Sequence, residues 1–303
     1  MLNQNKIIVP ENLINLAKKT PYIPAGIVCA HHLPSMRAAK QAVDLELINP
    51  TFIGNLNLIN EEAEKLKWNI KKYTIINNNS DEDAAVAGAI LAKEDKIKIL
   101  IKGNIHTDIL MRIYLKKEFS LIQSKRLSHI WYMSINSKRK PLFITDGALN
   151  VAPRIDIKMH ILRNAVEFAK KIGIDKPCVA VLSGTEDPIK SMPSSIEAKE
   201  VMQLAIKENI DAYVQGPLAF DNAVSPEAAK IKKISGKVAG NADILLVPNL
   251  ETGNSLSKIM VYFLGACAAG IIVGGKVPVV ITSRADNEAS RLASIAAAII
   301  AKL

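Results

Sequence analysis

Ser283, Arg284 and Asp286 stand together directly after the apolar, β-branched run 277–281. Such a run reads as a buried strand, and it stops at a hydroxyl, a guanidinium and a carboxylate. The stretch 287–303 that follows is rich in Ala and Ile and free of Gly and Pro, which predicts a helix. Asp286 is placed to cap that helix, and Glu288 falls in its first turn. Ligands of open α/β sheets bind beyond the carboxyl ends of the strands, so this turn is favoured ground for holding an anion. The alternative is that Ser283 and Asp286 only satisfy helix-end amides while Arg284 lies in solvent.

Two further strand exits share this style, Gly216-Pro217-Leu218-Ala219-Phe220-Asp221-Asn222 and Pro248-Asn249-Leu250-Glu251-Thr252-Gly253-Asn254. Each combines Gly or Pro with short polar side chains able to hydrogen-bond an anion. A turn at 102–107 ends in His106 and Thr107 at a helix start, where free backbone N–H groups hold phosphate or carboxylate. An ordinary Thr cap explains the same residues.

The elements that must position these turns alternate. Strands are predicted at 25–30, 51–54, 70–76 and 96–102, with helices at 36–48 (Ser35 capping), 61–68, 81–93 and 107–117. A second series has strands at 129–135, 141–145, 178–183, 212–215 and 242–247. Its helices are at 155–172, 194–208 and 255–268, the middle one opened by a Ser194/Glu197 capping box. Alternation of this kind predicts parallel sheets flanked by helices, with the three exits converging on one cleft. The basic turn 136–140 is a candidate boundary between lobes.

Composition narrows the function classes. A chain of 303 residues, 49% hydrophobic, is ample for one or two domains with substantial cores. Net charge is +10, which attracts polyanions, yet lysines are scattered and aromatics make up only 5%. Few stacking platforms therefore exist, and a small phosphorylated ligand is preferred over nucleic acid. Cys29, Cys178 and Cys267 are far apart in apolar surroundings, which points to reduced thiols and a cytoplasmic protein. No run is long and apolar enough to span a bilayer, so no membrane partner is expected. His31 and His32 follow the first strand without acids at metal-ligand spacing, so no metal site is expected.

Taken together, Gly216 to Ala223, the run Ser225-Pro226-Glu227-Ala228-Ala229, Val238 to Asp243, Pro248 to Asn254 and Thr282-Ser283-Arg284-Ala285-Asp286 resemble the phosphate acetyltransferase and phosphate butyryltransferase family. Lys102-Gly103-Asn104-Ile105-His106-Thr107 and Phe143 to Asn150 resemble further family segments in the right order. The likeness runs from about residue 20 to the C-terminus. It implies an α/β, two-lobed, isocitrate-dehydrogenase-like fold with parallel-rich sheets and an interlobe cleft. On that reading the first lobe is discontinuous, 1–138 plus 276–303, and the second lobe is 139–275.

The implied reaction is reversible transfer of a short acyl group between coenzyme A and inorganic phosphate. The expected enzyme is a phosphate acetyltransferase, with a phosphate butyryltransferase or broader phosphotransacylase as the alternative. Coenzyme A and acyl phosphate are substrates, no cofactor is bound permanently, and a homodimer is usual. Such chemistry needs a base for the thiol, a donor for the oxyanion and cations for the leaving phosphate. Arg284 suits phosphate oxygens, Ser283 can donate to the carbonyl or thiol, and Asp286 is the nearby carboxylate. Arg112 is the coenzyme A candidate implied by the family. Lys258, His106, Thr107, Asp221, Asn222, Gly253 and Asn254 complete the expected substrate-binding set. Two positions depart from the acetyltransferases: their proposed base, an aspartate seven residues beyond the serine, is Ser290 here, and an arginine aligns with Tyr262. These departures lean toward the butyryltransferase branch and leave acyl length open. Rival readings are a silent coenzyme A binding module and a NAD-dependent dehydrogenase of related fold. The dehydrogenase lacks support from any Gly-x-Gly-x-x-Gly after a strand.

Overall fold

The computed structural model describes residues 7–122, 126–136, 139–283 and 285–303. Two compact units divide the described chain, one of 126–268 and the other of 7–122 with 269–303.

The chain begins in the discontinuous unit with α1 (Glu11–Ala17), β1 (Ile23–Val28), α2 (Leu33–Asp44), β2 (Ile48–Gly54), α3 (Leu56–Lys65), β3 (Thr74–Asn77), α4 (Asp81–Lys93), β4 (Ile99–Lys102) and α5 (Thr107–Tyr114). The continuous unit contributes β5 (Ser128–Ser134), β6 (Leu142–Thr145), α6 (Ile155–Lys171), β7 (Cys178–Leu182), α7 (Pro193–Lys207), β8 (Tyr213–Leu218), α8 (Phe220–Val224), α9 (Pro226–Ile231), β9 (Ile244–Leu246) and α10 (Leu250–Leu264). The chain then runs through β10 (Cys267–Val273), β11 (Val279–Val280) and α11 (Glu288–Lys302).

In the discontinuous unit the strand order is β3-β2-β1-β4-β11-β10. Neighbours from β3 to β11 pair in parallel, and β10 runs antiparallel to β11. The chain steps outward from β1 to β2 to β3, and β4 then joins the other edge of β1. The order therefore reverses at β1/β4, which is where an open α/β sheet leaves a crevice beyond its carboxyl edge. Helix α11 is Ala- and Ile-rich and buried from Ser290 through Ile300. A helix apolar nearly all round belongs in a core, and here it packs against α1, α2 and the sheet.

The continuous unit orders its strands β5-β6-β9-β7-β8. Strands β5 and β6 form an antiparallel hairpin, Ile130 opposite Thr145, while β6–β9, β7–β9 and β7–β8 are parallel. Trp131, Ile144, Leu182, Leu218, Leu245 and Val247 build one core. Phe143 stacks edge-on between Tyr132 and Phe168. Strands β5 and β6, on either side of the expected boundary 136–140, pair with each other, and the compact units divide near 126 and 268.

Local expectations are corrected in four places. Ser35 does not cap α2: His32 holds the cap position, and Ser35 is buried in the first turn with its hydroxyl 2.8 Å from His32 Nδ1. Ser194 and Glu197 form no capping box, because Pro193 opens α7, Ser194 Oγ meets Ser183 Oγ at 3.0 Å and Glu197 pairs with Lys158. Strand β8 continues through Gly216 and Pro217 to Leu218, where a Cβ on Gly216 would lie 2.7 Å from Val181 Cβ. Asn249 caps α10, accepting from Thr252 N at 3.0 Å, so Gly253 and Asn254 belong to a helix and not to a strand-exit loop. Among the described residues no helix is long and apolar enough to cross a membrane.

Candidate functional site

The parallel β1, β4 and β11 send three segments off one sheet edge: Cys29 to His32, Gly103 to His106, and Thr282 with Ser283. Gly103 permits the closest approach. Its N–H donates to Val28 O at 2.8 Å and Asn104 N donates to Cys29 O at 2.8 Å, while a Cβ at 103 would sit 2.2 Å from Cys29 O. Only a residue without a side chain can lie across the end of β1 in this way. The result is a cavity of about 240 Å³ lined by His32, Asp81, Lys102, Gly103, Asn104, Ile105, His106, Thr282 and Arg291.

Two cations are drawn out of water around that cavity: Lys102 is 6% exposed and Arg291 is 3% exposed. Burying charge is costly unless it is bonded or serves a ligand. Arg291 donates from Nη1 to Thr282 Oγ1 at 2.8 Å, from Nη2 to Ser283 O at 2.7 Å and from Nε to Asp286 O at 3.2 Å. Its pKa is lowered by burial, opposed by the nearby Asp286 carboxylate. His32 is held below the ordinary imidazole range, first by burial and then by the charges of Arg291 and Lys102. The imidazole is therefore neutral at pH 7 and can take up a proton. The Cys29 thiol donates to Asp81 Oδ1 at 3.4 Å and is pushed up by burial and by that carboxylate, so it is not a thiolate nucleophile. The space is smaller than the roughly 300 Å³ at which drug-sized sites begin. It suits a compact anion.

His106 lines the cavity, and Thr107 is the first residue of α5 and not its cap. Ser283 and Asp286 close one turn: Ser283 N donates to Asp286 Oδ2 at 2.6 Å and Asp286 N donates to Ser283 O at 3.1 Å. The expected capping of α11 by Asp286 is corrected, since Asn287 takes that position and accepts from Ser290 N at 2.9 Å. Glu288 pairs with Arg37 of α2. Arg284 lies outside the described residues. Arg112 is exposed, pairs with Glu82 and does not line the cavity.

In the continuous unit, Asp221 meets Lys232 at 3.1 Å, Lys232 meets Glu186 at 3.0 Å, and the buried Asn222 donates to Glu186. Gly253 packs on the 146–147 turn, where its Cβ would come within 2.9 Å of Gly147 Cα, and Asn254 Nδ2 reaches Gly147 O at 3.4 Å. Lys258 is half-buried further along α10. Sequence reasoning missed Arg291, whose only signal is a lone arginine in an otherwise Ala- and Ile-rich helix directly after Ser290. It also left Lys102 as part of a turn.

Residues 79–299 match the family described as Phosphate acetyl/butaryl transferase. This chain belongs to that family. It is 38% identical over 278 residues to a phosphate acetyltransferase of Rhizobium meliloti, covering 91% of this chain and 88% of that one. It is 37% identical over 267 residues to a probable phosphate butyryltransferase of Bacillus subtilis, covering 88% and 89%. The crystal structure of a branched-chain phosphotransacylase from Enterococcus faecalis V583 superposes with a TM-score of 0.81 at 33% identity, over 92% of this chain and 99% of that one. The sequence resemblance is thus borne out. Family members named for acetyl and for butyryl transfer are almost equally similar, so overall identity does not separate acyl lengths.

Proposed function

We propose that the protein transfers a short acyl group reversibly between coenzyme A and orthophosphate, with acetyl as the first assignment and butyryl as the second. Family membership supports the reaction class. The observation that carries the reading to particular residues is the cavity at the β1/β4 reversal, where two buried cations border a space of about 240 Å³.

In the thioester-forming direction, the coenzyme A thiol gives its proton to the neutral His32, the cavity-lining imidazole that stands in for the carboxylate missing at Ser290. The thiolate adds to the carbonyl carbon of the acyl phosphate, and Ser283 donates to the developing oxyanion. The carbon–oxygen bond to phosphate breaks, Lys102 and Arg284 neutralise the departing charge, and His32 returns the proton to orthophosphate. Asp286 serves by closing the Ser283 turn.

The finer reading is a two-lobed, isocitrate-dehydrogenase-like enzyme in which Asp221, Asn222, Gly253, Asn254 and Lys258 serve the same substrates and Arg112 serves coenzyme A. It rests on the family resemblance. We further propose a cytoplasmic homodimer without a permanent cofactor. Three free cysteines support the compartment. The exposed Ile259, Tyr262, Phe263 and Leu264 on α10 support a second copy as the partner of that face.

The test incubates the purified protein with coenzyme A and acetyl, propionyl or butyryl phosphate and follows free thiol. Loss of thiol with at least one donor is expected, and the preferred donor assigns acyl length. No turnover with any donor, alongside measurable coenzyme A binding, would support a silent binding module instead. Reduction of NAD with a hydroxy acid would support the dehydrogenase.

A further inference from the structure

We infer that Arg291 is a positioning residue for acyl transfer: one buried guanidinium holds the Ser283 turn from behind and, through Ser35, fixes the imidazole of His32. The inference rests on the function proposed above. Arg291 stands on α11, and its three turn acceptors, Thr282 Oγ1, Ser283 O and Asp286 O, come from a segment that has no regular secondary structure of its own. Nη1 also lies 3.5 Å from Ser35 Oγ, which is 2.8 Å from His32 Nδ1. The guanidinium therefore ties α11, the turn after β11 and the start of α2 into one unit, with both proposed reacting groups attached to it. A planar fork with five donors can satisfy several acceptors in fixed directions, whereas an ammonium acts as a point charge.

Geometry and charge separate in this arrangement, which gives the inference its test. The charged groups acting on His32 are Arg291 from α11, Lys102 from β4, Glu62 from α3 and the adjacent His31, and Asp81 and His106 line the same cavity. Burial lowers its pKa most, Arg291, Lys102 and His31 lower it further, and Glu62 opposes them. Removing the Arg291 charge therefore raises the His32 pKa toward its ordinary value. The acid limb of kcat/KM, where His32 takes up a proton and activity is lost, then moves to higher pH.

Full-length Arg291→Met and Arg291→Lys are compared with the wild type in acyl phosphate turnover between pH 5 and 9. Displacing a reacting group by about 1 Å costs on the order of 10²-fold in rate. Both variants should lose about that much kcat while KM for coenzyme A stays within about threefold. The acid limb should move up in Arg291→Met and stay in place in Arg291→Lys. Wild-type kcat in either folded variant, or an acid limb that does not move in Arg291→Met, would overturn the inference. If Arg291→Met does not fold, the kcat of Arg291→Lys decides it. Hydrogen exchange of peptides across 282–290 gives a readout independent of turnover: faster exchange confined to that stretch in Arg291→Lys supports the clamp, and unchanged exchange refutes it. A wild type inert with every acyl phosphate refutes the proposed function alone, leaving the clamp to be judged by exchange.

Discussion

Each unit buries a polar cluster, and the two are built in opposite ways. In the continuous unit the cluster is anionic and filled by its own chain. Asp146, 2% exposed, accepts from Ala148 N, Leu149 N and His129 N, each at 2.9 Å, and from Asn150 Nδ2 at 2.7 Å. Gly147 and Gly253 let the backbone close over it. In the discontinuous unit the cluster is cationic and borders open space, with Lys102 and Arg291 around a cavity. A carboxylate whose acceptor sites are filled by backbone N–H groups braces a turn. Lys102 and Arg291 line a cavity with Asp81, so an anion that enters it meets two buried cations.

The largest effect is expected at the crossing point that makes the cavity: Gly103→Ala puts a methyl against the backbone of Cys29, and nothing there can move aside as a flexible side chain could. A loss of roughly 4 kcal/mol or more, or failure to fold, should appear in chemical denaturation. Asp146→Ala comes next, because it leaves several buried donors without an acceptor and should destabilise the protein by about 3 to 5 kcal/mol. A loss under 1 kcal/mol would show that the turn does not depend on its carboxylate.

Acid stability sharpens the same comparison. His129 is fully buried beside Asp146 with its ring 4.6 Å from that of Trp131, and burial lowers its pKa to about 4 while the Asp146 charge opposes the shift. The unfolded imidazole binds a proton near pH 6.5 and the folded one does not until about pH 4. Stability is therefore intact above 6.5 and falls as pH drops toward 4, at about 1.4 kcal/mol per pH unit, to a total of roughly 3 kcal/mol. Denaturation midpoints of wild type and His129→Gln at pH 7, 5.5 and 4.5 check this, since the slope should flatten in the variant. The smallest effect is expected at Asp221→Asn. This exposed pair with Lys232 should leave the denaturation midpoint almost unmoved, and any shift should shrink further in high salt.

Much of this was legible in the chain itself. Helix 81–93 is where its acidic first turn places it, and the structure adds Ser80 as its cap. The parallel alternation is correct, because β-branched runs ending in Gly or polar residues are local signals. Other features depend on contacts that no local pattern encodes. The run 212–218 hides a strand because Gly and Pro read as a turn, yet Gly216 is there to let β7 approach. Asp286 and Asn287 are both fair caps by type, and only the fold decides that Asn287 caps while Asp286 folds back on Ser283. Arg291 was hidden because a single arginine near a helix start reads as solvent-facing. Its burial follows from α2 packing over α11.

The most direct measurement is turnover of Lys102→Met, which removes a cavity cation and keeps an apolar stem of similar length. With fold and coenzyme A affinity retained, acyl phosphate formation should fall by about 10²-fold or more, with the KM for phosphate raised. A folded Lys102→Met enzyme with wild-type kcat and wild-type phosphate KM would contradict the assignment of this cavity to the reaction.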